Sequence, residues 1–258
     1  MSTCPLKISA PDWCFFRDAV PAATYYPRLA ALGVTGVEMV DPSRWADARA
    51  AGLAIINMGG PGMTQGLNRS ENHAALLPAI REAIATAQRE AIPAVIVFSG
   101  NGEPEDSVNG IMHCVDGLRE LAPVAEAAGV TLLFEMLCTQ DHPGYQAASS
   151  AYGFEVVRQV NSPAVKALYD LYHMYRMGED IRADVLGNLA IIGHLHVANA
   201  PKRTKPVAGG TPDYADIVPT IQAAGYTGYW GLEFVPESDP LTEIGESVAL
   251  FTGYMGCK

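Results

Sequence analysis

The chain's 258 residues, 49% hydrophobic and 17% charged, suit one large α/β domain with a substantial core. A net charge of −11 argues against a nucleic-acid groove or an anionic membrane surface, leaving a small molecule held locally as the expected partner. Five scattered cysteines without a CxxC pair indicate neither a disulfide framework nor a structural zinc site.

The start MSTCPLKISAPDW lacks an apolar signal core, and no apolar run reaches the length of a membrane span, so a soluble cytoplasmic protein is expected. Leu6–Ser9 opens a series of short apolar runs. Pro21–Leu32 reads as an amphipathic helix stopped at Gly33. VTGVEMV (34–40) is a second strand and Ser43–Ala51 a short helix. LAIINM (53–58) is a third strand closing in GGPGMTQG. Asn68 or Ser70 can cap a long helix running to about Glu90, because each offers an acceptor to the first-turn amides.

AVIVFS (94–99) is a fourth strand, followed by a helix over 108–128 that ends at Gly129. VTLLFEML (130–137) is the fifth strand and 166–172 the sixth, with a helix over 147–160 between them. A helix over 181–189 precedes the seventh strand, IIGHLHV (191–197). Helix 214–224, strand YWGLEFV (229–235) and helix 241–251 complete the chain. Apolar strands separated by helices imply a parallel sheet with right-handed crossovers. Eight such units in this length predict a closed (β/α)8 TIM barrel, one domain over residues 1–258. No GxGxxG follows the first strand, which weakens a dinucleotide-binding reading.

Function in such a barrel gathers at the C-terminal ends of the strands. Four late strands carry polar residues there: Glu135, Asp170, the pair His194 and His196, and Glu233. A carboxylate in an apolar run is costly unless something pairs with it. Each alone reads as a helix cap or an arginine partner. Together, two glutamates, one aspartate and one imidazole suit Mg²⁺ or Mn²⁺. His194 lies deeper and reads as an interior or supporting histidine. His73 and His113 fall on helices and read as surface residues, and Cys138 as a small residue without an activating base. Asp170 and His173, three apart, cannot share a face of a regular strand, so His173 is expected where strand six turns into its loop.

The segment YDLYHMYRMGEDI (169–181) resembles the signature of hydroxypyruvate isomerases, within the xylose-isomerase-like TIM-barrel superfamily. The resemblance extends over nearly the whole chain, through GVTGVEMVDP (33–42), LLFEMLCTQDHPGY (132–145), IGHLHVANAPKR (192–203) and AAGYTGYWGLEFVP (223–236). It implies that Glu135 and Glu233 are metal-binding, proton-transferring carboxylates. Asp170 becomes a further metal ligand, and His173 and Arg203 contact substrate oxygens. His196 stands where hydroxypyruvate isomerases often have glutamine and ketose 3-epimerases have histidine. MLCT (136–139) and GGTPDY (209–214) depart from the family's usual loops.

The expected reaction is an aldose–ketose type isomerisation of hydroxypyruvate to tartronate semialdehyde, through an enediolate and with a divalent cation. Arg203 would hold a substrate carboxylate. The alternatives are a ketose 3-epimerase, a sugar-acid lyase, an abasic-site endonuclease and a non-catalytic sugar-acid binder. The endonuclease needs more histidine ligands, including from early strands, and strands one to four end without one. Leu250, Phe251 and Tyr254 are either core or a patch for a homo-oligomer.

Overall fold

The computed structural model describes residues 6–256; Cys4, Cys257 and the first residues of the N-terminal segment lie outside them. Eight strands follow chain order around a closed barrel. They are β1 (Lys7–Pro11), β2 (Gly36–Glu38), β3 (Ala54–Gly59), β4 (Ala94–Phe98), β5 (Thr131–Glu135), β6 (Val165–Asp170), β7 (Ile192–Val197) and β8 (Tyr229–Leu232). The predicted (β/α)8 architecture is observed. No helix among the described residues is long and apolar enough to cross a membrane.

The helices are α1 (Asp12–Phe15), α2 (Ala22–Ala31), α3 (Trp45–Ala50), α4 (Ser70–Arg89), α5 (Ser107–Ala128), α6 (Ser150–Val160), α7 (Leu171–Arg176), α8 (Ile181–Asn188), α9 (Tyr214–Ala223) and α10 (Pro240–Tyr254). The chain forms two compact units, residues 57–194 and residues 1–56 with 195–258.

In the unit 57–194, β4, β5 and β6 are buried along almost their whole length. Their parallel register sets Phe98 beside Glu135 and Glu135 beside Leu168. Side chains such as Val97, Phe134 and Leu168 are wholly inside, each stabilising by about 1.5–3 kcal/mol relative to exposure. α5 ends as expected at Gly129, whose φ of 67° closes the helix in the left-handed region.

Two local expectations fail here. Neither Asn68 nor Ser70 caps α4: its cap position is Arg69, with no side-chain cap bond. The Asn68 amide instead donates to the Asn101 carbonyl and to Gln146 Oε1, tying three βα loops together. Strand six also ends earlier than its apolar run. Leu171 and Tyr172 belong to α7, because Asp170 Oδ1 accepts from the backbone amides of Tyr172 and His173 and starts a helix there.

In the other unit, Ser9 of β1 sits level with Gly36 of β2 and Gly231 of β8, and Gly231 sits level with His196 of β7. Trp230, Phe251 and Tyr214 form an aromatic cluster between β8, α10 and α9, with centroids 5.4 and 6.0 Å from the Phe251 ring. Phe251 is therefore core, whereas Leu250 and Tyr254 on the same helix are half-buried.

The tight loop before α4 offers a direct test. A Cβ on Gly66 would lie 2.4 Å from backbone atoms of Ser99 and Gly100, which cannot move as a side chain can. Gly66→Ala is expected to cost about 1–3 kcal/mol and to lower Tm by several degrees in thermal unfolding. An unchanged Tm would disprove the close approach.

Candidate active site

In the unit 57–194, β5 ends on Glu135 and β6 on Asp170, both buried. The backbone carbonyl of Glu135 accepts from the Tyr145 hydroxyl at 2.8 Å, and that hydroxyl also accepts from the Ser99 amide at 3.0 Å. This ties the end of β5 to the end of β4. Asp170 does two jobs at once. One carboxylate oxygen caps α7, and the other lies 3.5 Å from His173 Nε2. The expectation that Asp170 and His173 would be separated is thus corrected: an immediate helical turn, not a continuing strand, brings residues i and i+3 together.

The second imidazole nitrogen of His173, Nδ1, lies 3.1 Å from Cys138 Sγ, and the His142 ring packs edge-on at 5.3 Å. Burial raises the Cys138 thiol above its usual pKa, and the Asp141 backbone amide only partly offsets this. Cys138 is accordingly a neutral neighbour of His173 at neutral pH. Asp141 accepts from the Tyr172 hydroxyl at 2.7 Å and pairs with Arg176 at 3.3 Å, which braces α7 from outside. His194 is buried in β7, as expected. His73 and His113, expected at the surface, are half-buried. Their rings bond to the carbonyls of Leu67 and Asn68 and fasten the loop before α4.

A cavity of about 1140 Å³ in this unit is bordered by Gln65, Arg69, Asn72, Asn101, Gln146 and neighbours. Neither Glu135, Asp170 nor His173 lines it. The chemistry of the strand ends therefore picks out the site, and the size of the concavity does not.

In the other unit the buried groups form a continuous chain of contacts. The Ser9 hydroxyl donates to Glu38 Oε1 at 2.6 Å. Glu38 Oε2 lies 2.9 Å from His196 Nε2, and His196 Nδ1 lies 2.9 Å from Glu233 Oε2. Glu233 follows the last residue of β8, where its amide donates to the Val197 carbonyl at 3.1 Å and prolongs the pairing with β7. Arg203 donates from Nε to the Glu233 carbonyl at 3.1 Å and from Nη2 to its carboxylate. The Trp13 indole N–H donates to Glu233 Oε1 at 3.0 Å, and the Arg203 guanidinium lies 5.2 Å from the Trp13 ring centroid.

Burial alone would push the Glu233 carboxyl's pKa up. The His196 ring and the Arg203 guanidinium overcome it and hold the group well below the usual carboxylate range. Glu233 therefore stays ionised. Arg203, expected to face a substrate carboxylate, spends at least two of its donors on Glu233 instead. Two residues are held in left-handed backbone beside these groups, Met39 after Glu38 and Arg203 itself, with φ of 49° and 55°. Such conformations cost energy and concentrate where geometry serves a site.

Three of these participants escaped the sequence reading: Glu38, Ser9 and Trp13. Glu38 carried the signal that found Glu135, an acid inside the apolar run VTGVEMV, but on an early strand. Ser9 and Trp13 carried none.

The cation fits this donor set. Hard carboxylate oxygens with one imidazole suit Mg²⁺ or Mn²⁺. His196 Nδ1 and Glu233 Oε2, 2.9 Å apart, are the two kinds of donor such an ion would take.

The model of the xylose isomerase-like TIM barrel family matches residues 27–254. The chain belongs to that family. A protein named putative hydroxypyruvate isomerase from Streptomyces coelicolor is 35% identical over 123 residues, 46% of this chain and 44% of that one. A human protein of the same name is 26% identical over 258 residues, 91% of each chain. In the first curated relatives the match spans about half of their length. Among solved structures, one described as AP endonuclease, family 2, from Brucella melitensis superposes with a TM-score of 0.81 over 96% of this chain and 99% of that one. At 22% identity that likeness shows the shared barrel alone.

The charge pairing in this family member has a pH signature. Arg203→Met is expected to lower stability near neutral pH by about 3 kcal/mol, since it leaves a buried carboxylate without its guanidinium. Glu233 has a depressed pKa in the folded chain. Its stabilisation is present above the unfolded carboxylate value of about 4.3 and lost as pH falls toward the folded value. The Tm gap between wild type and variant should therefore be full from pH 7 to about 5 and shrink progressively below about pH 4. A gap of the same size at pH 3 and pH 7 would show that Arg203 acts by packing.

Proposed function

We propose that this chain is a cation-dependent isomerase of a small hydroxy-keto acid, interconverting hydroxypyruvate and tartronate semialdehyde. The reading rests on the family and on the names of its relatives. The observation that carries it is a buried acid or imidazole at the end of each of four consecutive strands. In this reading Glu135, Asp170, His196 and Glu233 hold the ion. A bound Mg²⁺ or Mn²⁺ supplies a positive charge that acidifies the C–H beside a carbonyl and favours an enediolate.

The carboxylates then divide the work. Glu135 and Glu233 are assigned to take the proton from one carbon and return it to its neighbour, while the hydroxyl proton moves between the two substrate oxygens. His173, braced by Asp170 and Cys138, is assigned to contact a substrate oxygen through Nε2, the nitrogen on the Asp170 side at 3.5 Å. Arg203 contributes twice: it keeps Glu233 ionised, and its charge favours a substrate carboxylate at the same mouth. Free buried thiols at Cys14, Cys114 and Cys138 accord with a reducing cytoplasmic setting.

His196 supports a second reading. An imidazole where hydroxypyruvate isomerases often have glutamine accords with a ketose 3-epimerase, which would use the same two glutamates on a free ketose. An abasic-site nuclease fits less well, since β1 to β4 end on Pro11, Glu38, Gly59 and Phe98 and so bring no histidine.

The test is turnover of hydroxypyruvate by chelator-treated protein with Mg²⁺ or Mn²⁺ restored, following the aldehyde product. Activity is expected to vanish on chelation and return with the ion. Glu135→Gln is expected to lower kcat by about 10²–10⁴-fold while Mn²⁺ still binds. Turnover of a free ketose but not of hydroxypyruvate would move the assignment to the epimerase.

A further inference from the structure

Glu38 is wholly buried and lies on an early strand where no ligand was expected. An isolated carboxylate cannot persist there, so its partners define its purpose. Its partners include the Ser9 hydroxyl at 2.6 Å on Oε1 and His196 Nε2 at 2.9 Å on Oε2. Ser9 is itself wholly buried on β1, and it is level with Gly36, two residues before Glu38 on the same face of β2. The contact is therefore set by strand register, and no mobile loop is involved.

We propose that Glu38 is a positioning residue that fixes the His196 ring, holding a proton on Nε2 and aiming Nδ1 at Glu233. This rests on the cation-site reading above and specifies how one of its donors is oriented. A carboxylate is acceptor-only when ionised, so the ring nitrogen facing Glu38 must carry the hydrogen. An imidazole serves a metal through one nitrogen while the other donates outward, and such outward partners hold the ring and raise its basicity. In His196, Nε2 faces Glu38 and is the outward nitrogen, which leaves Nδ1, 2.9 Å from Glu233 Oε2, on the side of the carboxylate that would share the ion. Ser9 in turn leaves Glu38 Oε2 as the oxygen directed at the ring.

The arrangement also explains why an imidazole can stand at position 196. An amide there would meet Glu38 through its NH₂ and present its oxygen to the ion. An imidazole needs a fixed acceptor behind it to choose the same orientation. Substitution of Glu38 should therefore act through His196, leaving the barrel and the other donors in place.

The experiment compares wild type, Glu38→Gln and Ser9→Ala by Mn²⁺ titration without substrate, and by NMR of the histidine ring protons in chelator-treated protein. Glutamine keeps the size but can donate as well as accept, so it no longer dictates the proton's place. Wild type is expected to show a strongly downfield His196 Nε2 proton, protected from exchange. Glu38→Gln should lose that signal and bind Mn²⁺ about 10–100-fold more weakly, with Ser9→Ala in between and all three unfolding cooperatively. Wild-type Mn²⁺ affinity in Glu38→Gln, or no downfield Nε2 proton in wild type, would overturn the proposal. If wild type bound no Mn²⁺, the cation-site reading would fail by itself, and the ring-proton signal would still decide the orientation of His196.

Discussion

An ionised carboxylate inside a barrel has to be neutralised by its surroundings, and Glu233 shows how much structure that demands. Its two oxygens and its backbone meet a ring nitrogen from β7, a guanidinium from the following loop and an indole from the start of α1. Each partner is held by something else. The loop bearing Arg203 is pinned by the Asn199–Thr204 bridge and by the Val235 amide donating to the Arg203 carbonyl. His196 is backed by Glu38, and Glu38 by Ser9. The cost of burying one acid thus fixes the geometry of a whole sector of the strand ends.

The same logic runs differently at Asp170. There the balancing groups include two backbone amides, so the carboxylate is stabilised by starting a helix as well as by the His173 ring. An acid at that position serves fold and chemistry together. The compact turn it creates keeps His173 wholly buried against Cys138, and a strand continuing past Asp170 would have sent that ring elsewhere.

Much of this was legible in the residues. Apolar runs broken by glycine-stopped helices give the barrel, and acids within such runs mark strand ends. Strand termini were less visible, because LYHM reads equally well as apolar strand or helix, and only the capping role of Asp170 decides between them. Long-range partnerships were invisible. Nothing local to Ser9, Trp13 or Glu38 announces that they converge on His196 and Glu233, which are more than 150 positions away. Arg203 illustrates the limit: its proximity to acidic chemistry could be inferred, but its engagement with the protein's own carboxylate could not.

Trp13 adds a spectroscopic dimension. The chain has three tryptophans; Trp45 and Trp230 are buried, whereas Trp13 is half exposed with its indole N–H on a Glu233 oxygen and a guanidinium near its face. Its emission senses the electric field at that carboxylate. The protein thereby carries an intrinsic fluorophore wired to one end of its buried charge chain, and a change at Glu233 can be watched optically without any added label.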